Sequence, residues 1–306
     1  MRNWASCIFV LLAFGSPVIA QEAIEHSLFI AGPTFTGILD EASNEVWNAG
    51  RAGARDGEVL ESGNVLICWS DEVRELTRGK KDTVFHYRLS KENAELGTAQ
   101  RLADGRTLIT ELGAKPMLLE VAADGTVVHR VPLLPETDNA HMQTRMARKL
   151  ASGNYLVPHL LAFKVKEYDP AGKVVRELAT DGAELGGRAA ENWPFTAIRL
   201  ANGNTLVNLT HGNKTVEFDS EGRVVWQASN EDVAGKPFAD PCGGQRLPNG
   251  NTIIASYGAR ADEGVIKVFE LNRDKQIVWK YTGPHRAHEV QVLTTNGIPI
   301  PKPAMR

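Results

Sequence analysis

Six segments spread along the chain share one frame: a leucine, a tight polar turn carrying glycine, and a run that alternates apolar and polar residues. Leu60 opens Glu61-Ser62-Gly63-Asn64-Val65-Leu66 and Leu102 opens Ala103-Asp104-Gly105-Arg106-Thr107-Leu108. Leu150, Leu200 and Leu247 open Ala151-Ser152-Gly153-Asn154, Ala201-Asn202-Gly203-Asn204 and Pro248-Asn249-Gly250-Asn251, and Leu293 opens Thr294-Thr295-Asn296-Gly297. Neighbouring leucines are 42, 48, 50, 47 and 46 residues apart. Alternation with period two marks strands, where a helical repeat of this length would show a 3.6-residue period. Asn202-Gly203 reads as a two-residue type I′ hairpin turn. A second turn, Asp219-Ser220-Glu221-Gly222, separates Thr215-Val216-Glu217-Phe218 from Arg223-Val224-Val225-Trp226. Each unit is thus four antiparallel strands, and a four-stranded unit repeating every ~40–50 residues is one blade of a β-propeller.

The two ends of the chain complete the ring. Leu28-Phe29-Ile30, Thr36-Gly37-Ile38-Leu39 and Asn44-Glu45-Val46-Trp47 read as second, third and fourth strands with no first strand before them. The last repeat, around residues 288–297, has a first strand and then runs into Pro299, Pro301 and Pro303. Joining the halves removes the exposed sheet edges of an open array. The expectation is an all-β, six-bladed propeller of four-stranded antiparallel blades, spanning about 50–96, 97–134, 141–179, 193–229, 238–282, and 284–300 plus 27–49. Blade one is the least regular, with a charged insert at 70–82.

Residues 1–20 read as a secretory signal peptide: Arg2, an apolar run from Cys7 to Phe14, and the small-residue site Val18-Ile19-Ala20. The run is too short to span a bilayer, and no later stretch approaches ~20 apolar residues. The mature domain, 21–306, is expected to be secreted or periplasmic, with no membrane span after cleavage. It keeps 33 Lys+Arg against 37 Asp+Glu, a mild negative charge that argues against nucleic acid. Cys68 and Cys242 fall on blades that are not neighbours in a ring of six and read as two separate buried thiols. With no C-x-x-C or His-spaced pair, no metal site is expected.

Stacking the repeats by offset points to one candidate site. Five residues before each leucine lie Arg55, Gly97, Arg145, Phe195, Cys242 and His288; seven before lie Gly53, Glu95, Gln143, Trp193, Asp240 and Arg286. Offsets of two share a side of a strand, so both sets converge at the channel mouth, on the face that collects the long loops. His159 ends a second strand, His141 precedes the inner strand of blade three, and His211 lies in a second-to-third loop. This mixture suits a small anionic or aromatic ligand, with Arg for a carboxylate, sulfate or phosphate and Trp193 for a ring face. Asp240 is expected to balance the cations in the empty state. His86 and His129 fall on outer strands and read as structural.

Glu217-Phe218-Asp219-Ser220-Glu221-Gly222-Arg223-Val224-Val225-Trp226 resembles the tryptophan-bearing repeat of quinoprotein-like (PQQ-type) propellers. The preceding Leu-x-Asn-Gly-Asn-Thr-Leu resembles the repeat of exported, six-bladed arylsulfotransferase-type propellers. Trp47, Trp226 and Trp279 fit the tryptophan position, and such tryptophans dock one blade on the next; His129 and Arg176 replace the tryptophan in blades two and three. The adjacent cysteines and calcium site of quinoprotein dehydrogenases are missing, so no PQQ or other cofactor is expected. The sulfotransferase resemblance implies a transiently sulfated histidine, for which His141 and His288, with Arg145, are the matching residue types. The leading expectation is an exported scaffold that binds a ligand or another exported protein at the channel mouth. The alternative is an arylsulfotransferase-like or lactonase-like enzyme using a mouth histidine, a lactonase requiring Glu289, Asp240 and Asn192 to converge.

Overall fold

The computed structural model describes residues 23–301 and 305–306; the signal-peptide reading of residues 1–20 lies outside the described residues. Six antiparallel sheets form the blades of a propeller. Their inner strands are Asp56–Val59, Asn93–Arg101, Arg148–Lys149, Pro194–Arg199, Pro241–Arg246 and Glu289–Thr295. The closing blade is built from both ends, with Glu289–Thr295 paired to His26–Ala31 from Ala31↔Glu289 to His26↔Thr295, followed by Thr36–Leu39 and Glu45–Asn48. Its inner strand also carries a fifth strand, Ile298–Pro299, which turns back at Asn296-Gly297. The charged insert of blade one holds that blade's third strand, Glu72–Leu76, whose carboxylates are matched by arginines.

The first turns differ from the expected type. Gly203 has φ +86° but Asn202 is not left-handed, and Gly203 N–H donates to Leu200 O at 3.0 Å. Ala201-Asn202 therefore make a type I turn, and Gly203 supplies the left-handed residue that follows it. Only the last repeat has the two-residue form with both central residues left-handed, Asn296 at φ +48° and Gly297 at +77°. At the second turn, Gly125, Gly172 and Gly222 have φ +87°, +86° and +83°.

The repeat residues pair in a fixed way between blades. The asparagine closing the first turn donates to a buried third-strand glutamate: Asn64 to Glu75, Asn154 to Glu167, Asn204 to Glu217 and Asn251 to Glu270, at 2.6–2.8 Å. The same glutamates receive a cation from the next blade, the residue just before its leucine: Arg101 on Glu75, Arg199 on Glu167 and Arg246 on Glu217. At the outer edge, Trp47 Nε1, Arg176 Nη2 and Trp226 Nε1 each donate to a carbonyl in the next blade's second turn. His129 Nε2 reaches Pro170 O in the same way, at 2.9 Å. Apolar side chains fill the wedges between blades, as Phe29, Ile38, Val65 and Ile67 do between the closing blade and blade one. Burying each contributes roughly 1.5–3 kcal/mol.

Candidate functional site

The starts of the inner strands converge on Glu95. Arg55 grips this carboxylate with both terminal nitrogens, at 2.6 and 2.8 Å. Arg145 Nη2 lies 3.3 Å and His141 Nδ1 3.5 Å from the same oxygen. Burial pushes the Glu95 carboxyl up, yet hydrogen bonds from His141 and Arg55 and the charges of Arg145 and Arg55 outweigh it and hold the group well below the usual carboxylate range. Arg145 is almost fully enclosed and donates to Thr144 O at 2.7 Å and to His141 O. Burial lowers its guanidinium to about 10, against the opposing pull of Glu95. The charge that balances the two arginines is thus Glu95; Asp240 makes no ion pair among the described residues, and its N–H is held by Asn213 Oδ1 at 2.8 Å.

His288 sits beside this group on blade six. Its Nδ1 is 3.2 Å from Ala54 O and its ring stacks on Tyr257 at 4.1 Å. A carbonyl can only accept, so Nδ1 carries the proton and Nε2 keeps its lone pair. Burial lowers its pKa to about 4; the Ala54 hydrogen bond opposes this, and the charges of Arg145, Arg55 and His141 add to it. Arg286 lies over the other partner of the stack, Tyr257, at 5.3 Å from the ring centre.

Adjoining this group, part of the mouth is apolar. Met146, Leu160, Phe195 and Cys242 are buried together, with Met142, Trp193 and Tyr257 packed on them. Trp193 stacks on His211 at 4.1 Å, and His211 Nδ1 meets Glu191 at 3.0 Å. His159 is fully enclosed, with Nε2 3.0 Å from Tyr168 Oη, and touches none of the Glu95 cluster. Cys68 and Cys242 are both free and buried, and burial pushes both thiols up, leaving no thiolate. Asn192 Nδ2 is turned to Leu185 O at 3.0 Å and Glu289 faces Arg148, so the lactonase set is not assembled. No group of three or more His, Cys, Asp or Glu among the described residues could hold a metal ion.

Deeper in the channel the blades are stitched by side chains two residues before the leucine. Glu58, Gln100, Gln245 and Gln291 accept the backbone N–H of Arg101, Lys149, Val292 and Val59 on the following blade, at 2.6–2.8 Å. Arg148 occupies that offset in blade three and crosses to Asp56, at 2.8 and 3.1 Å. Sequence reasoning missed Arg148 as well as the methionine wall. The first was readable by stacking one more offset; Met142 and Met146 carry no repeat signal.

A six-bladed propeller with a charged half and an apolar half at its channel mouth is the class these features define. The chain belongs to the Mal s 1 allergenic protein-like family, whose model matches residues 33–255. Among solved structures it is similar to a protein of unknown function from Bacteroides caccae, with 21% identity and a TM-score of 0.72 over 87% of this chain and 98% of that one. It is also similar to a catalytically inactive virginiamycin B lyase from Staphylococcus aureus crystallised with quinupristin. That match has 14% identity and a TM-score of 0.56 over 78% of this chain and 73% of that one. A search of curated proteins finds no match.

Proposed function

We propose that this protein is an exported binding propeller whose mouth holds a small anionic ligand with an aromatic or apolar body. The observation that carries this reading is the sharing of one carboxylate by two arginines. Arg55 and Arg145 bring two positive charges to the single negative charge of Glu95, while His288 stays neutral. One positive charge is left over beside the apolar wall of Phe195, Trp193 and Tyr257. An aryl carboxylate or aryl sulfate matches both halves, its anion on the guanidiniums and its ring against the aromatic side.

The test is calorimetric titration with benzoate and 4-nitrophenyl sulfate, wild type against Arg55→Met. Binding by the wild type that falls at least tenfold in the variant is expected. Equal binding by both proteins removes the mouth as the site and favours the other partner expected from the sequence, another exported protein.

A second reading, an arylsulfotransferase-like enzyme, is favoured by one observation: His288 keeps an unprotonated Nε2 within the electrostatic influence of Arg145. The same titration reports on it. Release of 4-nitrophenolate that His288→Gln abolishes would support transfer, and binding without release would leave a binding protein.

A further inference from the structure

At the channel floor three carboxylates, Asp56, Glu58 and Glu289, meet two guanidiniums. Asp56 and Glu289 are fully buried. Arg148 serves both, at 2.8 Å from Asp56 and 3.5 Å from Glu289. Burial raises the Glu289 carboxyl, so Asp56 and Glu58 carry the charge to be matched, and one cation cannot balance both in an enclosed space, where an unpaired charge is costly. The second guanidinium comes from outside the ring of blades. Arg306 Nη1 donates to Gly57 O at 2.8 Å and lies 3.4 Å from Asp56 Oδ1, and its Nη2 is 3.0 Å from Glu58 Oε2. Its side chain is 3% exposed.

The backbone beside it fits a gap in the stitching of the ring. Blade four has Ile198 at the offset where four of the other blades carry Glu or Gln, so Arg246 N–H on blade five has no side chain to receive it. Met305 O accepts it at 2.9 Å. The segment thus enters where the repeat leaves a hydrogen-bond donor without an acceptor and one carboxylate, Glu58, without a cation.

We propose that the channel floor is a guanidinium-binding site, filled here by Arg306, and that withdrawing Met305–Arg306 opens it to a guanidinium ligand. The acceptors select the ligand: a carbonyl and two carboxylates around one planar group match a guanidinium fork, whereas an ammonium is a compact, strongly hydrated point charge. Nη2 and Glu58 Oε2 meet as an ion pair at 3.0 Å, a contact that a free guanidinium can also make.

Thermal melting of Arg306→Ala with methylguanidinium and methylammonium tests this. The variant should melt below the wild type. Methylguanidinium at millimolar concentration should restore most of that shift, methylammonium should need at least fivefold more, and the wild type should respond to neither. Equal responses of wild type and variant, or of the two cations, would overturn the proposal. Should Arg306→Ala not fold, Glu58→Gln replaces it. There the Arg306 Nε–H should exchange with solvent at least tenfold faster than in the wild type, and an unchanged rate would overturn the proposal equally.

Discussion

Replacing Glu95 by glutamine keeps the shape of the side chain and removes the negative charge that Arg55 and Arg145 share. Arg55 and Arg145 are 17% and 4% exposed, against 13% for Glu95, so neither arginine can turn fully into water. At an effective dielectric of about 20, each contact is worth about 4 kcal/mol in gross attraction. Rearrangement of Arg55 toward solvent recovers part of that, and removing one member of a buried pair costs about 3–5 kcal/mol. The loss should appear as a shift of the urea midpoint followed by tryptophan fluorescence. Sulfate supplies a second reading of the same physics. With its internal counter-ion gone, the mouth becomes a stronger anion site, and sulfate at a hundred times its dissociation constant should return about 2.7 kcal/mol. The wild type, whose arginines are already engaged, should gain less. A double variant, Arg145→Met with Glu95→Gln, should be more stable than the sum of the single changes, because the two residues touch. A loss below about 1 kcal/mol, or equal sulfate responses in variant and wild type, would refute the view that Glu95 holds these charges together.

Two further outcomes follow from the structure. Gly222 has φ +83° with no atom within 4 Å of an added Cβ, so Gly222→Val acts through the backbone alone; it should cost about 1–3 kcal/mol by urea unfolding, and a loss under about half a kcal/mol would show that the turn tolerates a branched residue. His288 has its pKa lowered to about 4 from 6.5, so the folded state binds fewer protons than the unfolded chain between those values. Its contribution is therefore complete above pH 6.5 and is lost as pH falls to 4, by at most about 3 kcal/mol; His288→Gln should flatten this part of the stability–pH curve, and an unchanged curve would place the acid sensitivity elsewhere.

The fold was readable because its information is repeated. Leucine, turn glycine, Asn204-type closure and Trp226-type docking recur at one spacing, so an irregular blade is constrained by its neighbours. Glu72–Leu76 escaped because its charges read as an insert; Glu75 is the equivalent of Glu217, and its partner Arg101 is a whole blade away. The candidate site was legible by offset but not by pairing. Stacking put Arg55, Glu95, Arg145, Trp193, Asp240 and His288 at one end of the channel. Which carboxylate meets which arginine depends on side-chain reach between blades one, two and three, which is why the balancing charge was expected on Asp240 and is found on Glu95. Arg306 obeys no repeat, and its role appears only once Ile198 is seen to lack an acceptor.

The seam of the closing blade has a consequence for how the ring comes into being. His26 and Thr295, which face each other across it, are 269 residues apart in the chain. During synthesis His26–Ala31 is made long before Glu289–Thr295 and stays without that inner-strand partner until the five intervening blades have been made. For that interval it presents an open strand edge, the kind of surface on which other chains can pair. Closing a loop of this length carries an entropic cost of about 5 kcal/mol from the length-dependent part alone. That cost is met at one step, when Glu289–Thr295 arrives, so the propeller assembles slowly and as a ring only at its end.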